Sequence, residues 1–553
     1  MGMSLKPEHQ HHHHYHHQHH HHQPLHPLLR KGWLGIVIIL FVISYLILFG
    51  RIEWPGLHVD APMYSTASVN VARNFGWHYG GYTDRLLWKP AGLYDHHGVL
   101  QVILYGKLLK TVDWLRYNAA NTLINVLTYL LYTFLLSRVF RRGLGSPSLP
   151  LASCAALLPT LLQLGVQGRP EHLITPLIAL PYLAYELSGS AKRAYLASIP
   201  IAALILLTSP MVGVMFIGLV VVLLLALHPL RKALFPIALL GGGSTLLAAI
   251  ILSLATPFNL LGWLKNMASA SKLWVETFPL EGVLAAYKSD VLGGTFPSFA
   301  WNWSILFLVI VIVCSLFEHR RWLALALFAF LGYYITDRAS DYNYIAFLPL
   351  AWLAFCNLPL THSLPPLKYL SSRGHLSLIV MITAIYLAWF GTYAIISTSI
   401  ALSHTDASQA RALLQREIGK DPQVNDDSAV AFKFMQTPSF VVLGEPFENK
   451  AAHFVDSAGT TKAVCNPGEM REFERVFNVK FRYYIHPLHV SFINQDKSKS
   501  PPMPAQLCVG GERFQLSGGP FNKNDTPLAR FLPGRLKDYY SFALYRRAVW
   551  LPR

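Results

Sequence analysis

About eleven apolar runs, each close to the roughly 20 residues that an α-helix needs to cross a bilayer, divide this chain. They fall near 33–50, 117–138, 149–167, 173–187, 193–208, 211–228, 233–254, 303–317, 322–336, 343–358 and 375–400. Backbone polar groups inside lipid must bond within their own segment, so such runs can only be helices. The fold class expected is therefore mainly α, a polytopic transmembrane helix bundle. Only 14% of residues are charged, against about 25% in soluble domains. The shorter runs need partial burial or a locally thinned bilayer. A formal charge of +17 would suit a nucleic-acid partner, but the basic residues sit in short clusters between apolar runs. That is the pattern that orients membrane proteins, and no nucleic-acid partner is expected.

The clusters alternate. With Arg30 and Lys31 on the cytoplasmic side, the same side receives Arg138, Arg141 and Arg142, then Lys192 and Arg193, Arg231 and Lys232, Arg320 and Arg321, and Lys368 and Arg373. The opposite loops hold most of the acidic residues. An odd number of spans leaves the C-terminal region outside. Three divisions follow: a His-rich disordered cytoplasmic tail over 1–32, a membrane domain over 33–400, and a non-cytoplasmic soluble domain over 401–553. The tail, with its HHHHYHHQHHHH tract, is a loose metal binder at most.

Two outer loops are more than linkers. In the first, at about 51–116, VLQVILYGKLLKTVDWL has apolar residues at helical spacing beside Lys107 and Lys110, which predicts a helix lying at the interface. The second, at about 255–302, carries Trp263, Trp274, Phe278 and Tyr287 among lysines and also reads as interfacial. The C-terminal region opens with helical ASQARALLQREIG and continues with strand-like AVAFKF, SFVVLG, VKFRYYI and FALYRR, a small α/β domain. Cys154, Cys314 and Cys356 lie in or beside apolar runs, as packing residues do. Cys465 and Cys508 are candidates for a disulfide if their region is outside.

Polar residues collect at one face. The first outer loop brings His58, Asp60 and Tyr64, then Lys89, Asp95, His96 and His97. The turn before the fourth span brings Arg169, Glu171 and His172. The turn before the tenth brings Asp337, Arg338, Asp341 and Tyr344. Charged groups beside a membrane need water or partners, and a shared cleft supplies both. In such a cleft Asp60 could act as general base toward a hydroxyl. Arg and Lys could hold a phosphate, and Asp60 or Glu171 could bind a divalent cation. The same residues also fit local roles: an Arg169–Glu171 pair across the loop, an ion network around Arg338, and an aromatic belt at Tyr344.

The arrangement resembles the GT-C class of integral membrane glycosyltransferases, in the branch of protein O-mannosyltransferases and aminoarabinose transferases. HVDAPMYSTASVNVARNFGWHYGG resembles the family's first outer loop and matches Asp60 to its catalytic carboxylate. DHHGVLQVILYGKLLK resembles the polar turn and interfacial helix that follow, and GRPEH supplies an acidic residue at Glu171. DRASDYNYIAFLPL is similar to the Arg-Tyr turn that opens a late span, with Arg338 displaced from the Tyr. The resemblance covers about 33–400. It implies a polyprenyl-phosphate sugar donor, a glycan, lipid or protein acceptor, surrounding membrane lipids, and a bacterial inner membrane location. Asp60 would deprotonate the acceptor. Lys89, Arg338, His96 and His97 would hold the lipid phosphate, with Tyr64, Arg169, Glu171, His172 and Tyr344 around the substrates. A divalent cation is an open question in such enzymes.

Two other classes compete. A transporter or flippase of lipid-linked sugars predicts ionisable or unwound positions near the bilayer midplane and, often, inverted repeats. A non-catalytic assembly or sensor protein would use the spans as an anchor only.

Overall fold

The computed structural model describes residues 32–50, eight positions between 64 and 77, 98–112, 117–144, 149–164, 168–277, 348–357, Met381 and strand residues between 428 and 548. The expected spans at 303–317, 322–336 and 375–400, the helical stretch at 407–419 and the Cys465–Cys508 pairing lie outside the described residues.

The helices are α1 (Gly32–Gly50), α2 (Leu100–Thr111), α3 (Tyr117–Leu144), α4 (Leu149–Ala155), α5 (Leu157–Leu164), α6 (Glu171–Ser188), α7 (Ala191–Thr208), α8 (Pro210–Leu227), α9 (Leu230–Ala255), α10 (Leu260–Thr277) and α11 (Leu348–Asn357). Helix α3 packs against α1, α4 and α6, and α7 packs against α6, α8 and α9. Among the described residues three helices are long and apolar enough to cross a membrane: Ala119–Arg141, Ala191–Thr208 and Leu230–Ala255. Shorter apolar helices cover Trp33–Leu48, Leu149–Thr160 and Pro210–Leu225.

Helix α3 reverses the polarity of a soluble helix. Leu123, Leu127, Leu130 and Phe134, at three- and four-residue spacing, are exposed, while Asn121, Asn125, Thr128, Tyr129 and Tyr132 are buried. Only a surrounding apolar solvent favours that orientation. The chain is an integral membrane protein. Exposed Phe41, Phe235 and Leu254 on α1 and α9 fit the same lipid environment.

Tight connections set the helix hairpins. Gly189 ends α6 in the left-handed region at φ 63, where a Cβ is disfavoured. Ser190 then caps α7 by accepting from the Arg193 amide. Only Ser209 separates α7 from α8, and Pro210 occupies the first helical turn of α8, where its missing N–H costs nothing. The predicted span at 149–167 is broken at Ala156 instead. Pro159 has no N–H to offer the Ala155 carbonyl four residues earlier. The indole N–H of fully buried Trp352, on α11, donates to that carbonyl at 2.9 Å. Trp352→Phe leaves this buried acceptor unpaired and is expected to lower stability by about 1–3 kcal/mol. The check is the thermal midpoint of the purified protein in detergent; an unchanged midpoint would show that the bond contributes nothing.

The C-terminal strands are β1 (Ser428–Phe434), β2 (Thr437–Val442), β3 (Lys450–Ala452), β4 (Lys480–Pro487), β5 (Gln506–Val509), β6 (Glu512–Phe521) and β7 (Phe542–Arg547). They form one sheet in the order β3-β2-β1-β4-β7-β6-β5. Its pairings are antiparallel except for the parallel pair of β1 and β4. Each of the four strand-like segments named from the sequence contributes a strand, and β3, β5 and β6 are additions. Phe514, Leu544 and Tyr545 are buried. Tyr545 donates to the Pro504 carbonyl at 2.9 Å, and burial pushes its phenol up to about 12.

Candidate active site

The first outer loop and the helix ends that the charge pattern assigns to the same face do meet. Tyr64, Ala67, Trp77, Val99, Leu100, Val102 and Ile103 form one apolar cluster with Ala203 and Leu207 near the end of α7. Ala248 and Leu252 near the end of α9, and Trp263 on α10, complete it. Gly98 closes the contact. A Cβ there would overlap the Thr208 carbonyl group, which belongs to backbone and cannot swing aside, so only glycine fits. Gly106 on α2 is likewise close to Val71, with a Cβ reaching 2.8 Å from its Cγ1. Lys110, one of the two α2 lysines named above, donates to Asn74 Oδ1 at 2.8 Å. Trp77 meets Phe258, in the α9–α10 connection, edge to face at 5.4 Å. Helix α2 is thus a helix, as its spacing predicts, and one of its faces is covered by protein.

On this platform sits the Gly168–His172 turn, which leads into α6. Arg169 and Glu171 form a two-pronged pair: Nε donates to Oε2 at 2.9 Å and Nη2 to Oε1 at 3.0 Å. Both side chains are largely buried, 11% and 6% exposed. Glu171 also occupies the first turn of α6, where the helix dipole favours an anion. The Arg169 guanidinium lies over the Tyr64 ring, 5.9 Å from its centroid, a cation–π distance. The pair has no net charge, and the fork uses two of five guanidinium donors.

His172 is fully buried. Its Nδ1 contacts the Arg169 carbonyl oxygen, which can only accept, so Nδ1 carries the hydrogen. Its Nε2 lies 2.5 Å from the Tyr105 hydroxyl oxygen. That hydroxyl also lies 2.8 Å from Asn121 Oδ1, yet one phenol hydrogen serves one acceptor. Burial favours the uncharged imidazole, whose bare Nε2 accepts from Tyr105. The contact with Asn121 is then satisfied when the Asn amide turns its NH₂ toward the phenol oxygen. Gln101, one helical turn before Tyr105, donates from Nε2 to the Gly168 carbonyl at 3.0 Å. Two side chains of α2 therefore grip the turn at both ends.

Four of the residues named from the sequence, Tyr64, Arg169, Glu171 and His172, come together here. Asp60, Lys89, His96, His97, Arg338 and Tyr344 lie outside the described residues. Of the two residues named for a divalent cation, Asp60 lies outside the described residues and Glu171 has both oxygens in the fork with Arg169. Both ring nitrogens of His172 face protein groups. Among the described residues no group of three or more His, Cys, Asp or Glu is placed to hold a metal. Gln101, Tyr105 and Asn121 were not among the residues named from the sequence. The available signals were a four-residue polar spacing on α2 and the Asn121, Asn125, Thr128 series on α3.

No protein-family model matches the chain, and no curated protein matches it. Among solved structures, the crystal structure of the Archaeoglobus fulgidus oligosaccharyltransferase in complex with Zn and sulfate is similar over 82% of this chain and 68% of that one. The identity is 15% and the TM-score 0.43, a likeness too slight to establish a shared fold or activity.

Proposed function

We propose that this chain is a membrane glycosyltransferase of the GT-C kind. It would move a sugar from a polyprenyl-phosphate donor to an acceptor hydroxyl at the outer face of a bacterial inner membrane, with its N-terminus in the cytoplasm and residues 401–553 outside. Asp60 takes the acceptor proton as the hydroxyl oxygen attacks the anomeric carbon. The bond from that carbon to the lipid phosphate breaks through an oxocarbenium-like state, as in glycosyl transfer generally, with inversion. Lys89, Arg338, His96 and His97 receive the charge of the departing phosphate. The apolar face between the helices accommodates the polyprenyl chain. No step is assigned to a metal.

The observation that carries this reading is the docking of Tyr64, four residues after Asp60, against the Arg169–Glu171 pair. Two polar segments about a hundred residues apart share one buried junction at the helix ends, as a cleft built from several loops requires.

The test is reconstitution of the full chain in vesicles with a panel of polyprenyl-phosphate sugars and hydroxyl acceptors. The expected result is release of polyprenyl phosphate coupled one to one to glycosylated acceptor. Movement of intact lipid-linked sugar between leaflets, without product, would replace the enzyme with a transporter.

A further inference from the structure

We infer that His172 is a positioning residue: its imidazole ties the Arg169 backbone to Tyr105 of α2 and thereby fixes the Arg169 guanidinium under Tyr64, at the start of the first outer loop. The inference rests on the reading of Asp60 as general base only for its kinetic consequence. The geometry itself stands on the bonds described above.

The argument follows from connectivity. Arg169 meets Tyr64 through its side chain, and that side chain is held by Glu171. A fork two residues apart on the same turn fixes the guanidinium relative to Glu171. It does not fix the turn relative to α2. Two hydrogen bonds do that, Gln101 to the Gly168 carbonyl and Tyr105 to His172. The Arg169 carbonyl also accepts from the His172 backbone amide at 3.4 Å, so the helix start and the ring hold that peptide together, and it is the ring that carries it to Tyr105. Asn121 braces Tyr105 from α3, which ties the junction to that helix. A misplacement of about 1 Å at a catalytic group can cost about 10²-fold in rate.

Two isosteres each break one end of this bridge, and Tyr105→Phe cuts it with the imidazole still filling its space. The amide nitrogen of an Asn at 172 takes the place of Nδ1 and preserves the bond to the Arg169 carbonyl. A Gln places its amide where Nε2 sits and abandons that carbonyl. In the purified full chain, His172→Gln is expected to lower kcat about tenfold or more, with donor KM held within about twofold. His172→Asn keeps that carbonyl but gives up Tyr105, and it and Tyr105→Phe are expected to show the same loss. A second readout needs no activity. Ser68 is fully buried beside Tyr64, so a thiol introduced by Ser68→Cys reports loosening of the loop. Its maleimide labelling, with that of the native cysteines subtracted, is expected to quicken about fivefold or more in all three variants.

Wild-type turnover together with unchanged labelling in Tyr105→Phe overturns the inference in favour of a residue that merely fills space. Failure of the wild-type protein to transfer any lipid-linked sugar removes the enzyme reading by itself, and the labelling ratio then decides the positioning role alone.

Discussion

Asp60→Asn is expected to reduce sugar transfer about 10²–10⁴-fold, the usual contribution of a positioned general base. The amide has the shape of the carboxylate and no basic oxygen, so the acceptor hydroxyl keeps its proton until a later, costlier moment. Donor binding should persist, because the phosphate contacts assigned to Lys89, His96, His97 and Arg338 are untouched. The measurements are single-turnover transfer and equilibrium binding of the lipid-linked donor on the same preparation. Asp60→Glu provides the internal control. It keeps the base but moves it outward by one methylene, so partial activity is expected if distance to the acceptor matters. Wild-type turnover in the Asn variant would strip Asp60 of its role.

Helix positions were legible from the sequence because lipid imposes a length. The run at 33–50 became Gly32–Gly50 and the run at 211–228 became Pro210–Leu227. Which helix ends share a face was expected from charge. The junction of 64–111 with the ends of α6, α7 and α9 agrees with the alternation of Arg and Lys clusters along this stretch. The number of spans, expected to be about eleven, is not fixed by the described helices.

Other features were hidden for physical reasons. The break at Ala156 depends on Pro159 and on a Trp almost two hundred residues later, and only folding reveals that Trp352 can take over a carbonyl the proline abandons. His172 was placed among the groups around the substrates because a His beside a carboxylate at a membrane face suits that chemistry. Whether a ring nitrogen points to a cleft or to a backbone carbonyl is decided by the path of the turn, which no spacing rule encodes. Tyr105 and Asn121 went unnoticed because a Tyr in an interfacial helix and an Asn in a span each have a commonplace explanation. Their meaning comes from meeting each other.

The second large effect concerns the buried pair. Arg169→Ala is expected to destabilise the protein by about 3–5 kcal/mol, the range for removing one partner of a desolvated ion pair. The number follows from what remains: a Glu171 carboxylate with 6% of its side chain exposed and its two hydrogen-bond donors gone. The α6 N-terminus would offset about 0.3–1 kcal/mol of that, placing the expected loss toward the lower end. Arg169→Lys should fall between, since an ammonium supplies the charge but cannot form the fork or lie flat over Tyr64. The decisive comparison is the double variant Arg169→Met with Glu171→Leu. It removes both charges at once, leaves none uncompensated, and should be more stable than Arg169→Met alone, which keeps the same bulk at 169 and strands the carboxylate. Thermal midpoints of the four variants in one detergent order them directly. Were the double variant no more stable than Arg169→Met, and Arg169→Met close to wild type, the loss in Arg169→Ala would come from packing rather than a stranded carboxylate. Arg169 would then hold Tyr64 through the bulk of its side chain, not through its charge.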